Sequence, residues 1–560
     1  MSETTAIKKD SRFTKVTQWT AAFTLLIIIV IPLIMVIMRS FSIDGTWQLS
    51  APIELIAQSD LGSVYVNSLY LGLLVVLGST LLALPLAFLM TKTDFKRHKW
   101  LDTILIVPFM TPPYIASMGW MLFMQSRGIL ESVFPSVNLL QRGFFSVYGI
   151  AMIMSFNLFP FLYLILKNAL LKINSSLEEA GAVHGGSFQY RLKRIIFPLM
   201  ISPLAMGALL VFVKTISEFG TPATLGRQIG YYVLTTEIYQ YTSSWPIDFG
   251  RAAAISSVLL VTSMTIWFVQ TWINTRYTWQ TLGSKSKQTK EYTLGKWRYL
   301  VWLYVGGVLL LAIGVPYFSM IATSLMNTRG AGLAWSNFTF RHFQAVLTPG
   351  SQGYRGIVTS IQLALAAATL AAVLGTFYAL TVVKSKGKIK GFIDSSSLIS
   401  NTIPAVVVIV GLIFFWNHPN NPFAVYNTSS MVILAYVVLF LPFTVQYVKS
   451  SAQQIDNSLY QAARVGGASR WFIFKKITLP LIWPGIIAGW IMTFIISTRE
   501  LIASLMIRPP GMVTTATYIF GQFEQGNASQ GMAMALITVT LTVVVMVAVQ
   551  RMQKGARRFE

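Results

Sequence analysis

The chain has 560 residues, of which 54% are hydrophobic and 11% are charged, and its mean hydropathy is +0.61. An ordinary soluble domain carries about 25% charged residues, so this composition excludes that class and indicates an integral membrane protein. The formal net charge of +24 would suit nucleic acid only if the basic residues formed one surface patch. The chain has no cysteine, which excludes disulfides, iron–sulfur clusters and thiolate chemistry.

Twelve apolar stretches are long enough to cross a membrane. A hydrocarbon core ~30 Å thick needs about 20 apolar residues per helix. The first stretch follows a basic segment, but it lacks a small-x-small cleavage site, so we interpret it as a retained helix rather than a secretory signal. The predicted fold is therefore an all-α polytopic membrane protein. Its spans begin near Trp19, Val64, Leu101, Val147, Phe197, Ala252, Tyr299, Ile357, Phe392, Met431, Leu481 and Met532.

The 43 lysines and arginines are unevenly distributed between the loops. Lysine is concentrated in the two terminal segments and in alternate loops, such as the run from Lys384 to Lys390, whereas the opposite loops carry arginine only. This asymmetry places the lysine-rich side and both termini in the cytoplasm. Membrane topology thus explains the basic balance without nucleic acid, and some of these lysines could contact anionic lipid.

One loop motif occurs twice, 282 residues apart, beginning at Glu179 and again at Gln461. The same offset relates Glu218 to Glu500, so the register holds over a long segment. Internal repetition of this kind indicates two copies of one structural unit.

Six spans in each half give the two halves the same orientation. Parallel repeats are related by a pseudo-twofold axis along the membrane normal, with a solute path between them. We therefore predict a first half at 1–274, a polar cytoplasmic linker at 275–296 and a second half at 297–560.

Each copy of the motif lies in a loop after the fourth or tenth span, at residues 176–198 and 458–480. Ser176 and Ser458 are followed three residues later by Glu or Gln, a capping-box pattern that predicts a short helix starting there. Paired glycines predict a turn after the helix, and a proline then opens the next span. Such a loop could rest on lipid headgroups, but its duplication favours docking to a soluble partner with twofold symmetry.

These loops resemble the EAA loops of binding-protein-dependent ABC importer permeases of the type I fold, and the resemblance covers residues 60–560. The sequence departs from the family pattern at Gly181, where Ala is usual, at Leu192, where an aromatic residue is usual, and at Gln461, where Glu is usual. The last difference could make the two loops unequal in binding the ATPase. The resemblance implies that the coupling residues are Glu179, Ala180, Gly185, Pro198, Gln461, Ala462, Gly467 and Pro480.

The same resemblance implies a cytoplasmic ATPase dimer that uses ATP and Mg²⁺, an outer substrate-binding protein, and a place in the bacterial cytoplasmic membrane. The chain has no G-x-x-x-x-G-K-[ST] phosphate loop, so ATP hydrolysis is expected of the partner. We predict no enzyme activity and no cofactor for this chain, since no catalytic triad, metal cluster or carboxylate pair stands out. A secondary transporter or channel is the alternative, and it would need several buried acids at mid-membrane.

Four charged residues are predicted to lie within spans, where an ionisable side chain suggests a functional site. Glu218 and Glu500 lie about 20 residues past a proline, hence ~30 Å from the start of the span, at a depth that fits a gate. Lys214 and Glu218 have the i, i+4 spacing of an ion pair. A self-satisfied pair, or an acid that caps the following loop, is the structural alternative to a gate or a substrate ligand. The four candidates are Lys214, Glu218, Arg499 and Glu500.

Prolines predict that the third and ninth spans are broken. Pro108, Pro112 and Pro113 lie in the third span, and Pro404 lies in the ninth. Broken helices often line a transport path because their freed backbone groups need water or protein partners. Pro113 and Pro404 are therefore candidate path residues, with a packing kink as the alternative.

Residues 215–225 and 499–505 resemble segments of ferric-iron permeases, so we predict ferric iron as the solute. Phosphate esters, phosphonates, thiamine and polyamines are alternatives, and Lys214 and Arg499 would suit an anion. Fe(III) prefers oxygen ligands, yet the spans offer two acids and the four histidines form no cluster. The metal ligands are left unassigned, and the binding protein could supply the specificity.

Overall fold

A computed structural model of the chain describes residues 2–43, 46–48, 50–57, 59–134, 137–276, 292–423 and 425–556. Ten of its helices are long and apolar enough to cross a membrane, and the number reaches the predicted twelve when each of two bent helix pairs is counted as one span. In chain order the spans are Thr14–Ser40, Asp60–Lys92, Trp100–Met110 with Pro113–Val133, Val147–Lys172, Phe188–Ser217, Phe249–Ile273, Gly295–Leu325, Gln352–Lys384, Gly387–Asn401 with Ala405–Trp416, Ser429–Gln453, Arg470–Ser497 and Ala528–Val545.

Short elements connect the spans. Two strands of two residues each, Ser42–Ile43 and Thr46–Trp47, form the hairpin after the first span. The short helical segments are Ala51–Ala57, Asp94–Arg97, Asn138–Phe144, Ser175–Val183, Pro222–Gly226, Leu234–Ser243, Arg329–Ala331, Trp335–Asn337, Arg341–Leu347, Asn457–Val465, Ile502–Ile507 and Thr515–Glu524.

The chain packs into two compact units that interleave in sequence. Unit 1 contains Met1–Leu55, Ile238–Leu260 and Arg341–Glu560, and unit 2 contains Ile56–Glu237 and Val261–Phe340. The first span thus lies in the unit that holds most of the second repeat, and the seventh span lies in the unit that holds most of the first. The predicted linker falls largely on 277–291, outside the described residues, and the domain boundary stays a prediction.

The first and seventh spans, which are the first spans of the two halves, each lie in the unit that holds most of the other half, and each makes the same contact there. In unit 2, a Cβ added to Gly119 of the third span would lie 2.9 Å from the carbonyl oxygen of Pro316. In unit 1, a Cβ added to Gly411 of the ninth span would lie 2.6 Å from the carbonyl oxygen of Pro32. Only a residue without a side chain allows the two backbones to come this close.

The third and ninth spans are broken, as the prolines predicted. Their two arms meet at 90° in the third span and at 112° in the ninth. Pro112 and Pro404 each immediately precede the second arm with extended ψ values of 132° and 135°. Proline has no N–H to donate to the preceding turn, so the helix ends there and restarts in a new direction.

Turns of π-helix also repeat between the halves. Leu26–Val30 and Leu310–Gly314 lie within the first and seventh spans, and Leu192–Ile196 and Phe474–Thr478 lie at the ends of the two repeated loops. Because π-turns are rare and often mark functional positions, their repetition supports the conclusion that the two halves are copies of one structural unit.

Candidate functional site

Each repeated loop contains a nine-residue helix, Ser175–Val183 in the first half and Asn457–Val465 in the second; we call these the coupling helices. The predicted capping boxes at Ser176 and Ser458 are wrong. The caps lie two residues earlier, where the side chain of Asn174 accepts from the backbone N–H of Ser176 at 3.0 Å and Asp456 accepts from Ser458 at 2.8 Å. Asn and Asp are strong caps, and each places its serine inside the first turn.

Both coupling helices end in a Schellman motif. In the first, Gly185 has φ +76° and the N–H of Gly186 donates to the carbonyl of Gly181 at 2.8 Å. In the second, Gly467 has φ +74°, and an equivalent bond of 2.9 Å joins Ala468 to Ala463. Left-handed φ favours glycine at this position, so the predicted turns are confirmed at Gly185 and Gly467.

The coupling loops expose apolar side chains at matched repeat positions outside the spans. Val183 is 85% exposed and Val465 is 91% exposed at the ends of the two coupling helices. Leu177 and Leu459 form a second exposed pair in the same register. The eight predicted coupling residues are all exposed as well; they are Glu179, Ala180, Gly185, Pro198, Gln461, Ala462, Gly467 and Pro480.

The spans that follow the coupling loops begin earlier than predicted. Helical structure starts at Phe188 and at Arg470, continues through a π-turn, and reaches Pro198 and Pro480 within the same helix. Each proline occupies the first turn of the α-helical segment after the π-turn, where a missing N–H is tolerated. The coupling helix and the next span are therefore separated only by the glycine turn and Ser187 or Ser469.

Glu218 and Glu500 occupy equivalent positions just beyond the ends of the fifth and eleventh spans, so their predicted place within the spans, and that of Arg499, is wrong. Oε1 of Glu218 accepts from the backbone N–H of Gly220 at 2.7 Å, and the carboxylate also accepts from that of Thr221. Glu500 accepts from Ile502 at 3.1 Å and from Ala503 at 3.2 Å. Each acid therefore caps the short helix that follows, which is the structural alternative that the sequence left open.

The spacing-based ion pair between Lys214 and Glu218 is absent from the described part of the chain, where neither side chain joins an ion pair. Lys214 is half-buried on the fifth span, and the carboxylate of Glu218 is already occupied by backbone donors. Arg499 directly precedes Glu500, so the second half carries a cation next to its capping acid. A role for these four residues in the solute path stays a prediction.

Sequence reasoning missed a duplicated ion pair. Nζ of Lys167 on the fourth span lies 2.5 Å from Oδ1 of Asp102 on the first arm of the broken third span. Nζ of Lys449 on the tenth span lies 2.6 Å from Oδ1 of Asp394 on the first arm of the broken ninth span. The shared 282-residue offset of the two lysines was the available signal.

A buried ion pair was also missed beside the first coupling helix. Glu178, the residue before the predicted Glu179, pairs with Lys92 at the end of the second span, and their side chains are 5% and 1% exposed. Within the described ranges, no group of three His, Asp or Glu residues could hold a metal ion.

The family described as "Binding-protein-dependent transport system inner membrane component" matches residues 79–279 and again 368–558. The chain belongs to this family. It is accordingly a multi-pass permease component of a binding-protein-dependent ABC importer, and the two matches confirm the double-length repeat.

The chain is similar to permeases of ferric and phosphonate transport systems. It is 24% identical over 495 residues to "Fe(3+)-transport system permease protein FbpB 2" of Haemophilus influenzae, covering 86% of this chain and 89% of that one. It is 25% identical to "Ferric transport system permease protein FbpB" of Actinobacillus pleuropneumoniae, over 89% and 72% of the two chains. PhnV of Salmonella typhi, named for 2-aminoethylphosphonate transport, is 27% identical over 41% of this chain.

A solved bacterial ABC transporter involved in the import of the acidic polysaccharide alginate also matches 47% of the permease and 96% of its own chain. The identity is 17% and the TM-score is 0.37.

Proposed function

We propose that this permease imports ferric iron. The supporting observation is the extent of the similarity: two relatives named for ferric transport align with 86% and 89% of the chain, through both repeats. The relative named for phosphonate transport aligns with 41% of the chain, which is 86% of that shorter protein, so its similarity extends over one repeat rather than two. In this proposal iron is the cargo, and the binding protein supplies much of the selectivity for it.

The two coupling helices are proposed as docking sites for a cytoplasmic ATPase dimer. They share one cap geometry and one glycine turn, and they present the same exposed apolar positions, led by Val183 and Val465. Exposed apolar side chains outside the membrane are expected where a partner covers them. The partner would bind and hydrolyse ATP with Mg²⁺, while this chain carries the movement into its spans.

We also propose that both termini lie in the cytoplasm and that a substrate-binding protein docks on the opposite face. The lysine-rich loops support this orientation. The coupling loops follow the fourth and tenth spans, so both lie on the same face of the membrane as the termini.

Uptake by liposomes tests the proposed function. The permease is reconstituted with its ATPase and its binding protein, and ATP-dependent uptake of radioactive Fe(III) is measured beside uptake of 2-aminoethylphosphonate. We expect iron uptake. Uptake of phosphonate but not of iron would support the importer and contradict iron as its cargo. Uptake of any solute without the ATPase would contradict an ATP-driven importer.

Docking is tested with charge placed on the two exposed valines. Val183→Asp together with Val465→Asp should abolish co-purification of the ATPase, because a carboxylate would be desolvated in an apolar contact. The matched control is Leu139→Asp, since Leu139 is 84% exposed on a short helix between the third and fourth spans, which the proposed orientation assigns to the opposite face. Equal ATPase recovery from both proteins would contradict the proposed docking site.

A further inference from the structure

Glu178 is the buried acid of a coupling helix on which most of the described residues are exposed. Its side chain forms an ion pair with Lys92, the last residue of the second span. Its second oxygen, Oε2, accepts a hydrogen bond from the hydroxyl of Tyr292 at 3.1 Å. The first coupling helix is therefore attached to the second span by an ion pair with Lys92, and to Tyr292 by a hydrogen bond.

Tyr292 is itself held by backbone hydrogen bonds. Its N–H donates to the carbonyl of Lys92 at 2.9 Å, and its own carbonyl accepts from the N–H of Asp94 at 3.1 Å, forming a parallel bridge opposite Thr93. Tyr292 lies three residues before the seventh span, in the part of the predicted linker that the structure describes. The residue that leads into the seventh span is thus hydrogen-bonded beside the first coupling loop.

The ring of Tyr292 contacts both limbs of that loop. It packs edge-on against Phe188 after the glycine turn, with ring centroids 4.8 Å apart. The guanidinium of Arg191 lies 5.5 Å from the ring centroid, within the range of a cation–π contact. Because the hydroxyl reaches Glu178 before the turn and the ring reaches Phe188 after it, one side chain bridges the loop.

The protonation state of Tyr292 suits this contact. Burial and then the negative charge and hydrogen bond of Glu178 raise the pKa of Tyr292 above its ordinary value, outweighing the opposing effect of Arg191. A neutral phenol keeps its proton and so can donate a hydrogen bond to the carboxylate of Glu178.

The second coupling loop is built differently at the equivalent positions. Tyr460 stands where the first loop has Glu178, and its hydroxyl accepts from Thr478 at 3.5 Å. Lys384 ends the eighth span as Lys92 ends the second, but among the described residues it has no carboxylate partner. Ile473 takes the place of Arg191, so the cation over a ring is missing as well.

We propose that Tyr292, Lys92 and Glu178 form a loop anchor, and that Tyr292 is a positioning residue fixing the first coupling helix to the second span. The two coupling loops are then mechanically unequal. The first moves only together with its span, whereas the second can hinge at its own ends. This inference rests on the proposed role of the loops in ATPase docking, but the anchor itself can be measured without a partner.

The natural absence of cysteine makes the measurement direct. A single nitroxide label is attached at Val183→Cys or at Val465→Cys, two exposed positions in the same repeat register. Electron paramagnetic resonance spectra of the purified permease, without ATPase or solute, report the mobility of each coupling helix. We expect the label at 183 to be less mobile than the label at 465.

Variants of Tyr292 separate its two contacts. Tyr292→Ala should raise the mobility of the label at 183 to about that of the label at 465. The mobility of the label at 465 should not change. Tyr292→Phe keeps the ring against Phe188 and loses only the hydrogen bond to Glu178, so it should give an intermediate spectrum. An unchanged spectrum at 465 shows that the variant is folded. Should Tyr292→Ala fail to fold, the spectrum of Tyr292→Phe tests the anchor instead.

Two results would overturn the anchor: unchanged mobility at 183 in both Tyr292 variants, or an equal rise at 183 and 465. Failure of the proposed function looks different, because co-purification of the ATPase with the Val183→Asp and Val465→Asp protein would contradict docking while leaving the label mobilities as expected. In liposomes, Tyr292→Ala should raise the ATP hydrolysed per solute imported, about threefold or more, and Tyr292→Phe should recover part of the loss.

Discussion

Lys167 and Asp102 form an ion pair that ties the fourth span to the first arm of the broken third span, with 2.5 Å between Nζ and Oδ1. Lys449 and Asp394 repeat the contact between the tenth and ninth spans. Since the fourth and tenth spans lead directly into the coupling loops, each pair connects the helix that precedes a loop to a broken span. Movement of a loop would therefore reach the broken span through a fixed contact rather than through the chain alone.

Charge exchange in the second pair tests this connection. Lys449→Asp places two carboxylates side by side, so we expect uptake to fall about tenfold, which corresponds to ~1.4 kcal/mol. Lys449→Asp combined with Asp394→Lys restores opposite charges and should recover most of the uptake. A coupling energy of about 0.5–3 kcal/mol between the two changes is typical of residues in contact. Additive losses in the double variant would contradict a functional pair.

The hydroxyl of Tyr163 should strengthen only the first pair. It donates to Asp102, whereas the equivalent position in the second half is Val445, which has no hydroxyl. Hydrogen bonds to a charged group contribute about 1.5–3 kcal/mol, so Tyr163→Phe should lower the melting temperature of the detergent-purified permease measurably. Tyr447→Phe, at an exposed tyrosine on the tenth span, is the control. Equal melting shifts would show that the Asp102 contact contributes nothing.

Features that depend on local sequence were predictable from the sequence. The twelve spans follow from apolar length, and the break at Pro404 follows from the missing N–H of proline. The glycine turns followed from the need for positive φ at Gly185 and Gly467. The starts of the coupling helices were predicted two residues late, because the side chains of Asn174 and Asp456 reach the first-turn N–H groups before the serines do.

Long-range contacts could not be predicted in the same way. Lys167 and Asp102 are 65 residues apart, and no periodicity connects them. The exchange of first spans depends on packing of Gly119 against Pro316, which no local pattern contains. The spacing of Lys214 and Glu218 suggested a pair, but backbone N–H groups just past the helix end lie closer to the carboxylate and occupy it.

The buried pair of Lys92 and Glu178 should be sensitive to loss of one partner. Lys92→Met leaves a buried carboxylate without its cation, which costs about 3–5 kcal/mol and should lower the melting temperature of the permease. Replacing both residues with Met should be much less harmful, since two apolar side chains can fill the same space. Lys384→Met is the matched control, because Lys384 has no carboxylate partner in the described ranges. If Lys92→Met lowers the melting temperature no more than Lys384→Met does, the result would contradict a stabilising ion pair.

The close backbone contacts of the exchanged spans should not tolerate a side chain. Gly119→Ala and Gly411→Ala place a Cβ at 2.9 Å and 2.6 Å from a carbonyl oxygen, so the helices must separate. Overpacking of this kind costs about 1–3 kcal/mol in thermal unfolding. Gly306→Ala, also within a span, meets nothing within 4 Å and should be neutral or slightly stabilising. Equal effects at all three positions would contradict the close approach.

The caps of the coupling helices should respond differently to acid. Hydrogen bonds from Ser458 lower the pKa of Asp456 below its ordinary value, so the ionised carboxylate is the form that caps. Its contribution is present above the ordinary Asp pKa of about 3.9 and is lost as the pH falls through the lowered value. The amide of Asn174, which caps the first helix, does not titrate.

A nitroxide label at Leu459→Cys, in the first turn of the second coupling helix, measures this effect. Its mobility should stay constant from pH 7 to the ordinary Asp pKa of about 3.9, and it should rise as the pH falls further, through the lowered pKa of Asp456. Asp456→Asn supplies a cap without a titrating group, so the same label should then lose its acid response. An acid response that persists in the Asn variant would assign it to a group other than Asp456, because the two proteins differ only in whether the cap can gain a proton.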